Sequence, residues 1–130
     1  MKRFLLDTSF ALFSLAEPTR IPARTRRTVQ SGVVYLSVIS YWEVLLKSMK
    51  GKLEVGDVRV WWPQALEALA ATVLPLRPEH ITAIHGLPPI HQDPFDRALI
   101  AQATVEELTL VTTDTDIPRY ESKTFRTLSV

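Results

Sequence analysis

Phe4-Leu5-Leu6-Asp7-Thr8-Ser9-Phe10-Ala11-Leu12-Phe13 reads as two elements meeting at a polar junction. Phe4-Leu5-Leu6 is a short apolar run, suited to a strand buried on both faces. Asp7, Thr8 and Ser9 can each cap the helix that follows, whose apolar residues are Phe10, Ala11, Leu12, Phe13 and Leu15. The same order recurs downstream. Val33 to Leu36 is a β-branched and aromatic strand, and Ser37 or Ser40 caps a helix carrying Tyr41 to Met49, which Gly51 ends. Thr72 to Leu76 is a third strand with an edge-tolerated Pro75, Leu108 to Thr112 a fourth, and Phe125 to Val130 a fifth at an edge. Between them lie helices opening at Pro22 and running to Gly32, over Val58–Ala71 where Pro63 must lie in the first turn or break the helix, over Pro78–Gly86, and from Pro94 through Ala103. Strand and helix alternate throughout. That predicts an α/β fold with one parallel sheet, helices on both faces and right-handed crossovers.

With 130 residues, the chain suits a single domain spanning 1–130 with one sizeable core. Apolar residues make up 46% and charged residues 22%, a globular balance. A net charge of +1 gives no overall pull on nucleic acid, so binding must come from how charge is distributed. No cysteine is present, which excludes a disulfide scaffold and a thiolate metal site. The basic, apolar start resembles a leader segment, but Asp7 interrupts it. No stretch reaches the roughly 18 apolar residues of a membrane span. The expectation is a soluble, cytoplasmic protein with no membrane partner.

The acids fall at telling places on this map. Asp7 follows the first strand, and Glu43 lies early in the helix after the second. Asp96 sits in the first turn of the helix near Pro94, while Asp114 and Asp116 follow the fourth strand. In an open parallel sheet, ligands bind beyond the carboxyl ends of the strands, so these acids are expected to gather there. Gathered carboxylates repel, and a cation relieves them. An oxygen-only donor set favours Mg²⁺ or Mn²⁺ over zinc and suits phosphate ester chemistry with a metal-activated water. Each acid also has a plainer reading. Asp7 caps a helix. Ser40-Tyr41-Trp42-Glu43 fits a capping box, and Glu43 lies four before Lys47. Asp93 before Pro94 is a helix cap, and Asp96 in the first turn complements the helix dipole. Asp114 and Asp116 fit a turn.

Leu5-Leu6-Asp7-Thr8, Ser37-Val38-Ile39-Ser40-Tyr41-Trp42-Glu43, His91-Gln92-Asp93-Pro94-Phe95-Asp96-Arg97 with Ala98 to Ala103, and Leu110-Val111-Thr112-Thr113-Asp114 together resemble the PIN domain. More narrowly, they resemble the VapC-type ribonuclease toxins of bacterial toxin–antitoxin pairs. The resemblance runs over nearly the whole chain, and the H-x-D-P-F-D-R run is its most specific part. It implies a PIN-like three-layer α/β/α sandwich with a mostly parallel four- to five-stranded sheet. By position, the family's acids match Asp7, Glu43, Asp96 and Asp114, with Asp116 a fifth and Thr112 a supporting hydroxyl. The implied activity is Mg²⁺- or Mn²⁺-dependent endonucleolytic cleavage of RNA, leaving 5′-phosphate and 3′-hydroxyl ends. Asp7, Asp96 and Asp114 would hold one or two metal ions, and Glu43 a second ion or the attacking water. A homodimer and a small antitoxin partner are also implied. Ser9 departs from the His or Asn of many relatives.

Two basic stretches, one with Arg20, Arg24, Arg26 and Arg27 and one with Lys47, Lys50 and Lys52, are candidates for tracking RNA phosphates, chiefly Arg24, Arg27, Lys47 and Lys50. Solvated helix faces are the plainer alternative. Arg97 is expected in an ion pair with a neighbouring acid. Trp42, Trp61 and Trp62 are expected in the core, or Trp61 and Trp62 at a dimer interface. His80, His85 and His91 lack zinc spacing, and His91 is expected to make a loop hydrogen bond. A dehalogenase-type phosphatase is disfavoured because Ser9 stands where its second acid belongs. A non-catalytic PIN-like module that binds RNA or a partner is the remaining rival.

Overall fold

The computed structural model describes residues 1–130. Five strands form one sheet: β1 (Arg3–Leu6), β2 (Val33–Ser37), β3 (Ala71–Leu74), β4 (Thr109–Thr112) and β5 (Arg126–Ser129). Their order is β3-β2-β1-β4-β5, and every neighbouring pair is parallel. Six helices connect them: α1 (Thr8–Ala16), α2 (Ala23–Gln30), α3 (Val38–Met49), α4 (Val58–Ala68), α5 (Pro78–His85) and α6 (Pro94–Glu106), with 3₁₀ turns at Pro18–Arg20 and Ile117–Tyr120. The expected α/β sandwich and all five strands are present. No helix is long and apolar enough to cross a membrane.

Alternation along each strand divides the core in two. Phe4, Leu6, Val34, Leu36 and Val111 face Phe10 and Ala11 of α1 and Val29 of α2. Leu5 and Leu110 face the other way, onto Ile39 and the apolar stripe Ala98, Leu99, Ile100 and Ala103 of α6. Both faces are thus covered, which is why the strands read as continuous apolar runs.

Several local expectations shift. Pro22 is the N-cap of α2, not its first residue. Pro63 is the sixth residue of α4, and the helix carries on past it to Ala68. The fixed proline φ suits a helix, and although Pro63 forfeits an N–H and crowds the carbonyl of Arg59, the helix is not broken. β3 ends at Leu74, leaving Pro75 outside the pairing. Gly51, at φ +70°, ends the turn after α3 where a side chain would be strained. Gly32 is required for space: a Cβ there would lie 2.6 Å from the Lys2 carbonyl oxygen and from the Phe4 ring.

The chain builds β1, β2 and β3 outward on one side, then crosses to place β4 on the other side of β1. The gap between the carboxyl ends of β1 and β4 is therefore the point where strand order reverses, the natural ligand crevice of such a sheet.

Candidate active site at the carboxyl edge of the sheet

Asp7 leaves β1 straight into that crevice and is buried. Its Oδ1 accepts from the Phe10 N–H at 2.7 Å, so it does cap α1. Its Oδ2 accepts from Thr112 Oγ1, at the end of β4, at 2.5 Å. Capping and lining the crevice are one position, because the cap of a helix that follows a parallel strand lies at the strand's carboxyl end. Burial pushes the Asp7 carboxyl from its ordinary 3.8 up to about 6. The bonds from Thr112 and Phe10 pull the other way, and repulsion from Asp114 and Glu43 adds to the rise.

Asp114 follows β4. Its N–H donates to Thr112 Oγ1 at 2.9 Å, and its Oδ1 accepts from the Asp116 N–H at 2.6 Å. Thr112 thus ties the acids after β1 and β4 together through one buried hydroxyl. Asp116 turns to Arg119 at 3.3 Å, an exposed pair.

Glu43 is buried on α3. The capping-box reading fails: Ser37 caps α3 by accepting from the Ile39 N–H, and Ser40 lies inside the helix. Ser40 Oγ instead meets Thr8 Oγ1 at 2.9 Å, pinning α3 to α1. Glu43 Oε2 pairs with Lys47 Nζ at 2.8 Å, the helical pair expected from spacing. Its Oε1 is buried with no partner at all. Orphaned buried carboxylate oxygens are rare and costly.

Asp93 caps α6, accepting from the N–H groups of Phe95 and Asp96. Asp96, two residues after Pro94, faces the crevice. Burial first, and then repulsion from Asp93, Asp114, Glu43 and Asp7, together raise its carboxyl to about 7. Four acids from four elements therefore act on one another at this edge.

As the side chains lie, no three carboxylate or imidazole groups stand close enough to ligate one ion. Both oxygens of Asp7, one of Asp114 and one of Glu43 are engaged by protein donors. The donor set still fits a hard divalent cation: it is all oxygen, two of its acids resist ionising, and Glu43 Oε1 has nothing to bind.

Lys47 borders the cluster. Burial works against its charge, but Glu43, Asp93 and Asp96 carry its pKa above the usual range. Lys50 is exposed at the end of α3, and Arg24 and Arg27 are exposed on α2. A cleft of about 520 Å³ opens beside Asp114, bounded by Ser9, Phe13, Arg20 and Pro22. Arg20 lies 3.9 Å above the Phe13 ring and pairs with Glu17.

Arg97 is a correction: it makes no ion pair, donating instead to the Pro88 carbonyl at 2.9 Å and to Tyr120 Oη at 3.1 Å. Trp42 is another. It is 53% exposed, edge-on to Phe95 beside the acids. Trp62 is half-buried and stacks on Tyr41, with ring centroids 4.7 Å apart. Sequence reading missed Gln102, which is wholly buried on α6, accepts from Ser37 Oγ at 2.6 Å and donates to the Pro75 carbonyl. A lone amide on the face shared with Ala98, Leu99 and Ala103 was the available signal.

A family model described as "PIN domain" matches residues 4–123. Solved structures similar in fold include VapBC2 from Rickettsia felis bound to a promoter DNA fragment, at 12% identity and TM-score 0.72, covering 98% of each chain. DNA-bound VapBC from Salmonella typhimurium matches at 18% identity and TM-score 0.69, over 99% of this chain and 98% of that one. VapBC-5 from Mycobacterium tuberculosis, of the VapBC family of toxin–antitoxin systems, matches at 18% identity and TM-score 0.64 over the full length of both chains. No curated protein sequence matches the chain.

Proposed function

The chain belongs to the PIN domain family, and on that premise we propose that it is a cytoplasmic, metal-dependent endoribonuclease acting as the toxin of a toxin–antitoxin pair. One observation carries this reading: four acids far apart in sequence act on one another at the strand-order switch, with Glu43 Oε1 buried and unpartnered.

Asp7, Asp96 and Asp114 would hold Mg²⁺ or Mn²⁺ through their carboxylate oxygens. Such an ion supplies Lewis acidity and neutralises charge at the phosphate. Thr112 fixes the spacing of Asp7 and Asp114 through its two hydrogen bonds. Glu43 orients the attacking water with its free oxygen while Lys47 holds the other. Water adds to phosphorus in line and the 3′-oxygen leaves with a proton, giving 5′-phosphate and 3′-hydroxyl ends. The cleft beside Asp114 takes the adjoining RNA strand, with Arg20 at its wall; the exposed Arg24, Arg27 and Lys50 remain further candidates for phosphate contact. Arg97 and Asp116 support the loops around the site. A second copy of the chain and a small antitoxin complete the assembly. The exposed stripe Trp42, Leu45 and Met49 on α3, beside Glu43, is the surface such partners would cover.

The test is cleavage of labelled RNA in Mg²⁺ or Mn²⁺, with and without EDTA. Wild type should cut, chelation should stop it, and Asp7→Asn and Asp96→Asn should each abolish it. Equal cutting by both variants would mean the site is elsewhere. No cutting by folded wild type would favour the non-catalytic binding module.

A further inference from the structure

His91 lies in the loop before α6, and its contacts go beyond the loop bond expected of it. Its neighbour Tyr120, from the 3₁₀ turn after β4, is buried. Tyr120 Oη receives the Arg97 Nη1–H at 3.1 Å and the His91 backbone N–H at 3.1 Å. A hydroxyl oxygen has two lone pairs, and these two donors engage both. The hydroxyl proton must therefore point outward to an acceptor. His91 Nδ1 lies 2.8 Å away and the His91 carbonyl 3.3 Å, so the ring nitrogen is the better recipient. Nδ1 is then an acceptor, and the ring proton sits on Nε2. Nε2 stands 3.3 Å from Asp96 Oδ2.

We infer that His91 is a positioning residue: Tyr120 and Arg97 fix its tautomer so that Nε2–H is presented to Asp96 Oδ2, leaving Asp96 Oδ1 without a protein donor. Arg97 thereby reaches the acidic edge through two intermediaries and not by touching a carboxylate. This is a hydrogen-bonded shell behind a ligating carboxylate, of the kind whose removal weakens metal binding about 10–100-fold. For its effect on metal binding, the assignment rests on the reading of Asp96 proposed above; the ring tautomer does not.

Two measurements on the full chain test it. Long-range ¹H–¹⁵N correlation NMR of the metal-free protein should show His91 protonated on Nε2 and bare at Nδ1. The opposite tautomer overturns the assignment. Calorimetric titration with Mn²⁺ should show His91→Ala binding at least about 10-fold more weakly than wild type. His91→Gln, whose amide N–H reaches toward the same carboxylate, should recover most of that loss. If His91→Ala lowers thermal stability but binds Mn²⁺ as wild type does, His91 is a loop strut and the assignment falls. Should wild type bind no Mn²⁺, the metal reading of Asp96 fails, and the tautomer alone decides His91.

Discussion

The two ends of the sheet carry clefts of comparable size and opposite character. At the amino edge, a cleft of about 370 Å³ is bounded by Lys2, Arg3, Thr28, Glu107 and Arg126. Lys2, Arg3, Glu107 and Arg126 are exposed there, and water solvates them. At the carboxyl edge, Asp7 and Glu43 are buried and Asp96 is largely so, and burial together with repulsion from neighbouring acids opposes the ionisation of Asp7 and Asp96. Burying a carboxylate oxygen without a partner is expensive, and folding alone gives no reason to leave Glu43 Oε1 bare. The difference teaches that the burial of neighbouring acids, not the space above an edge, is what perturbs titration there.

The largest expected effect separates the edges by chemistry. Glu43→Gln should lower RNA cleavage by about 100-fold or more if the free carboxylate oxygen orients water. Arg126→Ala at the amino edge should change cleavage by less than about threefold, as surface substitutions do. Initial-rate measurements on both variants check this, and comparable losses would erase the contrast.

The next effect reverses the roles of the two edges. Gly32→Ala, at the amino edge, forces a Cβ against the Lys2 carbonyl and the Phe4 ring. It should cost about 1–3 kcal/mol of stability by overpacking. Cleavage per folded molecule should stay unchanged. Urea unfolding with active-site titration measures both.

The smallest effect is one of pH. Asp7 and Asp96 have folded pKa values near 6 and 7, above the ordinary 3.8. Between about pH 4 and 7 the folded state therefore holds protons that the unfolded chain has released. The stability they contribute is complete at the low end and is lost as pH rises through 6 and then 7. The metal-free protein should show a falling thermal midpoint across that window. The slope should shrink in Mg²⁺ and in the Asp7→Asn, Asp96→Asn double variant. An identical slope in all three would place the titrating groups outside the carboxyl edge.

Much of this was written locally. Alternation of apolar runs with caps was enough to place five strands and to predict a parallel sheet. Asp7 and Asp93 were legible as caps because a cap bonds within three residues of itself. The Glu43–Lys47 pair was legible for the same reason, since a helix places residues four apart side by side. Arg97 and Trp42 were misread because their neighbours come from elsewhere. Arg97 meets a tyrosine 23 positions away, and Trp42 packs on Phe95 of another helix.

What the sequence determined by itself, then, is the order of elements, the periodicity that buries both sheet faces, and the placing of acids after strands one and four. Only the tertiary structure decided the strand order β3-β2-β1-β4-β5, the Thr112 bridge to Asp7 across 105 positions, the Ser40–Thr8 and Gln102–Ser37 contacts, and the unpartnered oxygen of Glu43. The physical reason is range. Backbone propensity and capping act over a few residues, whereas the partner of a buried polar atom is set by which distant elements pack together.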